Sequence, residues 1–407
     1  MAIATVVSKY DPHRETAQFH LEKIDHMIFA CYDRRFWRKQ LERFGFTPLY
    51  PAMPASSYAY EVDRYWGTAM TFGGVKILLV DQENSAYRKG LIRDLLLKSG
   101  DMHMFSAAVL VDRIWTASRE WSKEGLNPHP LGDVEGHPFK VAGGFTLDFP
   151  YPSPFFWQFV SKRHDECRSL SNDISWQPVG VDHFAVAVDN LTRWIAEYQA
   201  MGFKIIYEPE EIRGEYSGMK TVALRRDGVV VALVEGVDGV QPSQVSTYRR
   251  AHGDHSVQHA ALLFKDLPLS VREFLRRGVR FRFRKSGFDP FRPDLDCIIH
   301  QGCDYSGSLL QAFTKPLARR GPTAEVGPGA RKFKGGFFWE VNQRGVSVVQ
   351  ETSGELFYDP TVIGLYRSIE LEEMQDDASL LFPESLTEGY RFDEWDATNR
   401  NVERKRE

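Results

Sequence analysis

The sequence predicts an α+β protein of four repeated βαβββ modules, paired into two domains. Three observations predict it. A pattern of strand, aspartate, helix and glycine recurs four times, and its aspartates, Asp33, Asp112, Asp189 and Asp266, are separated by 79, 77 and 77 residues. A glycine follows each aspartate after 12 or 13 residues (Gly45, Gly125, Gly202 and Gly278), which fits a three-turn helix between an N-capping carboxylate and a left-handed C-terminal glycine. Short alternating or apolar runs come next, such as "GTAMTF" and "VKILLV" in the first unit and "KTVALRR" and "VVVALVEG" in the third, and these read as strands.

The elements follow in order. "IDHMIFACYD", "MFSAAVLVD", "VDHFAVAVD" and "VQHAALLFKD" are the four opening strands, and amphipathic runs such as "NLTRWIAEYQAM" are the helices. A unit of this kind leaves one sheet face bare, so two units must close around a shared concave space. The expected division is a two-module domain without metal over residues 1–155, a linker over 156–178, a second two-module domain over 179–373 and a charged tail over 374–407.

Composition narrows the function. A chain of 407 residues with 43% hydrophobic and 26% charged residues fills more than one globular core. A net charge of −4 gives no electrostatic reason to expect nucleic acid or an anionic membrane, which leaves small molecules as ligands. Cys31, Cys167, Cys297 and Cys303 form no CxxC pair, and "MAIATVV" is too short for a span, so a reducing cytoplasm is expected.

The repeats differ at one position. His26, His183 and His259 stand at matching places in units one, three and four, while unit two has Phe105 or Ser106 there. Only the second pair therefore carries two matched histidines, which pseudo-symmetry sets face to face; His26 reads as structural. A two-histidine site needs a further ligand, and Glu340 in "GGFFWEVNQR" is a carboxylate inside an aromatic, β-prone run. Two histidines and a carboxylate with open positions point to non-haem Fe(II) rather than closed structural zinc, unless Glu340 is a strand-edge residue paired with Arg344.

"VDHFAV" (181–186), "VQHAAL" (257–262), "SLLQAFTKP" (308–316) and "FFWEVNQR" (337–344) together resemble the 4-hydroxyphenylpyruvate dioxygenase and hydroxymandelate synthase family, over most of 179–373. The resemblance implies a vicinal-oxygen-chelate (glyoxalase-like) fold and Fe(II) held by His183, His259 and Glu340. It also implies oxidative decarboxylation of a 2-oxo acid with oxygenation of the same substrate by O2, and no separate 2-oxoglutarate. Hydroxymandelate-type benzylic hydroxylation, an extradiol ring-cleaving enzyme and a metal-free binding protein on the same fold are the alternatives. Assembly with further copies of the chain is compatible with any of these.

The same resemblance implies a substrate pocket of Thr221, Gln244, Gln258, Gln311, Phe313, Phe338, Phe357, Val362 and Leu365. Strict alternation would turn Gln258 and Asp182 away from the ligand face. The family's Gly-rich stretch before a C-terminal lid helix is replaced by "ELFYDPTVIGLYRSIELEE", with Asp359 and Pro360 suited to start that helix and Val362 where phenylalanine is expected. Its pocket asparagine becomes Glu235 or Gly236, and Glu235 would bring in a negative charge. "HGDH" (252–255) reads as an exposed polar loop, "CIIHQGC" as no zinc site, and "RRGVRFRFRK" as the polar face of a strand pair.

Overall fold

The computed structural model describes residues 19–49, 58–84, 86–87, 90–132, 134–162, 175–214, 216–282, 295–304, 307–317 and 336–345. The expected lid helix, with Phe357, Val362 and Leu365, and the tail over 374–407 lie outside the described residues.

The first half runs β1 (Leu21–Ala30), α1 (Arg34–Phe44), β2 (Thr47–Pro48), α2 (Tyr58–Trp66), β3 (Thr68–Phe72), β4 (Val75–Val80), α3 (Leu91–Ser99), β5 (His103–Val111), α4 (Ile114–Lys123), β6 (Pro128–Pro130), β7 (Val141–Leu147) and β8 (Phe156–Lys162). The second runs β9 (Pro178–Val188), α5 (Leu191–Ala200), β10 (Lys204–Arg213), β11 (Gly218–Arg226), β12 (Val229–Val237), α6 (Gln244–His252), β13 (Ser256–Phe264), α7 (Leu267–Arg276), α8 (Leu295–Ile298), β14 (His300–Asp304), β15 (Gly307–Phe313) and β16 (Phe338–Arg344). Each half forms one eight-stranded sheet, in the orders β2-β3-β4-β1-β5-β8-β7-β6 and β10-β11-β12-β9-β13-β16-β15-β14, so every strand of one has its counterpart in the other. No helix among the described residues is long and apolar enough to cross a membrane.

The helix signals hold unevenly. Asp33 accepts from the backbone N–H groups of Arg35 and Phe36, and Asp266 from that of Leu269, so both cap their helices. At α5 the cap is Asn190, one residue beyond Asp189, whose carboxylate pairs with Arg193 instead. Asp112 accepts from the backbone of His20, and α4 starts without a side-chain cap. All four glycines take positive φ, as the pattern requires.

The stretch read as linker opens with a strand. β8 pairs in parallel with β5 and antiparallel with β7, because beyond the prolines of "PYPSP" the run "FFWQFV" supplies the bulk that the sheet centre buries. The helix-side faces of the two sheets share one core: Phe29 meets Phe337 at 5.0 Å between ring centroids, Phe44 stacks on Phe274 at 4.6 Å, and Trp157 meets Phe184 at 5.7 Å. Trp339 is fully buried there against Phe29, Phe44 and Phe46, so truncation to alanine would cost about 3–5 kcal/mol. Val341 packs into the same core, and so by alternation Phe338, Glu340 and Asn342 face the other way, into the concave side.

Candidate metal centre

Register brings the three expected ligands together. β9 and β13 run antiparallel at the centre of the second sheet, with His183 opposite Ala261 and His259 opposite Ala185, and β16 places Glu340 beside Ala261. Glu340 Oε2 lies 3.5 Å from His183 Nε2 and 3.1 Å from His259 Nε2. One donor atom from each residue lies within 4.8 Å of the others, which no other group of three His, Cys, Asp or Glu among the described residues offers.

Two bulges aim the residues beside the histidines. The pairing steps from Val257↔Val186 to His259↔Ala185, which leaves Gln258 as an extra residue on β13. It also steps from Ala261↔His183 to Leu262↔Val181, which leaves Asp182 extra on β9. A bulge suspends strict alternation, so consecutive side chains can share a face. Asp182 thereby reaches His183 Nδ1 at 2.8 Å, and Gln258 donates to Gln244 Oε1 at 2.7 Å. This corrects the expectation from plain alternation.

The electrostatics follow from burial and close packing. Burial alone would lower the His183 pKa, but Glu340 and the hydrogen bond to Asp182 outweigh it and push the imidazole up to about 10. Burial likewise opposes ionisation of Glu340, yet His183 and His259 hold its carboxylate below the usual range. Burial pushes His259 down, and its Nδ1 is a buried atom with no partner. Two imidazoles and a carboxylate at these distances must share either protons or a cation. The donor set, with Nε2 of both histidines directed at Glu340 and Nδ1 of His183 fixed by a carboxylate, suits a divalent metal.

Arg344 does not pair with Glu340. Its guanidinium donates to both oxygens of Asp182, each at 2.6 Å.

The described pocket residues fall on or beside the concave face. Phe338 stacks on His259 at 4.7 Å, Phe313 pairs in register with Glu340, and Gln311 with Asn342. Thr221 is opposite Val234, which is opposite Ala187, so it shares this face two strands from β9. Gln244 opens α6 and reaches the site through Gln258. Glu235 is opposite Val188, on the helix side, and accepts from the Leu191 backbone N–H at 2.5 Å, so its charge stands at the start of α5 and not in the pocket. Gly236 takes the concave position instead.

Three residues escaped the sequence reading. Arg282, expected on a polar face, is buried with its guanidinium 4.9 Å from the Phe338 ring centroid, and the alternation of "RFRFR" holds no mark of that. His252 and His255, read as exposed, are buried at 4% and 0% exposure. His255 stacks on Trp194 at 3.9 Å and hydrogen-bonds Ser153 and Tyr198, partners distant in sequence. His26, on β1 of the first sheet, is buried against Asp25, Phe139 and His137 and is not among the metal-ligand trio.

No family model matches the chain. It is 31% identical over 157 residues to 4-hydroxyphenylpyruvate dioxygenase of Aspergillus fumigatus, covering 32% of this chain and 38% of the relative. It is 29% identical over 140 residues to 4-hydroxyphenylpyruvate dioxygenase of Neurospora crassa, covering 29% and 34%. The matched segment thus spans little more than a third of these relatives. Among solved structures, a triple mutant of 4-hydroxymandelate synthase from Streptomyces coelicolor superposes with a TM-score of 0.61 at 21% identity, covering 86% of this chain and 99% of that one. By local sequence the chain is similar to 4-hydroxyphenylpyruvate dioxygenases, and by fold to a 4-hydroxymandelate synthase.

Proposed function

We propose that the chain is a non-haem Fe(II) dioxygenase that oxidatively decarboxylates a 2-oxo acid and oxygenates the same substrate with O2. The observation that carries this is the convergence of His183, His259 and Glu340 on one concave face, in a chain similar over about a third of its length to two 4-hydroxyphenylpyruvate dioxygenases. The matching strand orders of the two sheets support a vicinal-oxygen-chelate arrangement of four βαβββ modules, with the second pair catalytic.

Fe(II), which His183, His259 and Glu340 would hold, would supply the site at which a 2-oxo acid and O2 react. The remaining work belongs to the chain. Asp182 fixes His183 Nδ1, so that Nε2 is the atom presented to the metal. Gln258 and Gln244 form a linked amide pair beside His259 that can orient a substrate oxygen, and Gln311 adds a third amide. Phe338 and Phe313 form an apolar wall that excludes water. Hydroxymandelate-type benzylic hydroxylation is the second reading, supported by the fold neighbour.

Anaerobic reconstitution with Fe(II), followed by a panel of 2-oxo acids and O2, tests the proposal. One CO2 released per O2 consumed is expected. A requirement for added 2-oxoglutarate, with succinate formed, would move the chain to another mechanism.

A further inference from the structure

We propose that the first sheet holds a second copy of the metal scaffold, and that three side chains, Ser106, Gln158 and Lys76, are what keep a divalent metal out of it. The inference rests on reading His183, His259 and Glu340 as metal ligands, and it is argued from register.

β1 pairs with β5 as β9 pairs with β13. Along β1 the pairing steps from Ile24↔Val109 to His26↔Ala108, leaving Asp25 extra, just as Asp182 is extra before His183. Along β5 it steps from Ile28↔Ser106 to Phe29↔Met104, leaving Phe105 extra where β13 has Gln258. Ala108 lies between His26 and Gln158, as Ala261 lies between His183 and Glu340. Ser106 is opposite Phe156, as His259 is opposite Phe338. The three ligand positions of the second sheet are therefore His26, Ser106 and Gln158 in the first.

The support around the histidine is duplicated too. Asp25 holds His26 Nδ1 at 2.9 Å, as Asp182 holds His183 Nδ1. Lys162 stands four residues after Gln158 and pairs with Asp25, as Arg344 stands four after Glu340 and pairs with Asp182. Nε2 of His26 and Oγ of Ser106, the atoms that correspond to the metal-facing side, are both buried and without partners. His26 is 1% exposed and Ser106 fully buried.

The first sheet also has a cation at a position where the second has an apolar residue, Val230. Lys76 Nζ lies 3.2 Å from Asp25, at a position that the strand pairing matches to Val230. Its ammonium puts positive charge beside His26, which disfavours a bound cation there and, with Lys162, balances Asp25.

The test installs the two missing ligands. Ser106→His with Gln158→Glu, and the same pair with Lys76→Met, are titrated with Co(II) under anaerobic conditions, and bound metal is counted by visible absorbance and elemental analysis. The parent is expected to bind one equivalent and the Lys76→Met form of the double variant two. Adding His183→Ala to that form should leave one equivalent, held by the first sheet. If histidine at position 106 prevents folding, Ser106→Asp with Gln158→Glu and Lys76→Met introduces less bulk and makes the same measurement. A folded variant that binds one equivalent with His183 present, and none with His183→Ala, overturns the inference. A parent that binds no Co(II) counts instead against the proposed function, and the His183→Ala form still reads the first sheet by itself.

Discussion

Arg344 and Asp182 form a two-pronged ion pair across β13, with guanidinium nitrogens 2.6 Å from each carboxylate oxygen. Asp182 is nearly buried and its carboxyl is held below the usual range: burial works against ionisation, but the hydrogen bonds from Arg344 and His183 prevail. The pair therefore acts as a clamp that sets the rotamer and tautomer of His183 from outside the ligand set. Arg344→Met should lower divalent-metal affinity about 10- to 100-fold, the usual scale for partners of ligating histidines. Competition titration against a chelator measures it, and unchanged affinity in a folded variant would show that the clamp serves the bulge alone.

The ligands should differ sharply from His26 of the first sheet. His183→Ala, His259→Ala or Glu340→Ala should abolish turnover and metal retention after desalting. His26→Ala should keep one metal per chain. Metal retained in Glu340→Ala at parental affinity would remove that residue from the site.

Much of this division was legible in the sequence and some of it was not. The 77- to 79-residue spacing of the aspartates carried the repeat, and the gap at Ser106 singled out the second half. The bulges at Asp182 and Gln258 were not legible, because a bulge is set by which partner residues pair and not by the strand's own composition. Glu235 was misplaced for the same reason: its face is known only once Val234 is seen opposite Ala187. "HGDH" was misread because the side chains that bury His255, among them Trp194, Tyr198 and Ser153, are 57 to 102 residues away. The pocket positions Phe357, Val362 and Leu365 stay as sequence expectations.

Gly236 should be intolerant of a side chain. A Cβ there would stand 2.5 Å from the Ser246 backbone nitrogen and closer still to its hydroxyl, so α6 must shift. Because α6 carries Gln244, which Gln258 contacts beside His259, Gly236→Ala should lower stability by about 1–3 kcal/mol and raise KM for the 2-oxo acid with little change in metal content. Denaturant midpoints, metal analysis and steady-state kinetics separate the three effects.

Acid should destabilise the fold before the carboxylates titrate. Burial lowers both His103 and His255 to about 3, against an ordinary value of 6.5. The unfolded chain binds protons there that the folded chain refuses, so these groups' contribution is complete above pH 6.5 and falls away as the pH drops toward 3. At pH 5 the loss is about 2 kcal/mol for each. Urea midpoints at pH 7 and pH 5 should show it, and His255→Gln should flatten the dependence. An equal slope in that variant would remove His255 from the effect.

The substrate is expected to differ from plain 4-hydroxyphenylpyruvate. Gly236 offers no hydrogen bond where the family's asparagine is expected, and an unmade bond to a buried phenol costs about 1–3 kcal/mol. Slow turnover of 4-hydroxyphenylpyruvate, with faster turnover of another 2-oxo acid, is the expected result, and Val362→Phe should shift preference back. Efficient conversion to homogentisate would refute the substrate forecast and leave the metal centre untouched.

The most direct measurement is oxygen consumption by the Fe(II)-reconstituted protein across a panel of 2-oxo acids, with CO2 counted in the same vessel. The account predicts that at least one acid gives one CO2 per O2, that both oxygen atoms of labelled O2 appear in the organic product, and that Glu340→Ala gives neither. Tight Fe(II) binding with no O2 uptake on any 2-oxo acid, or full activity in Glu340→Ala, would contradict it.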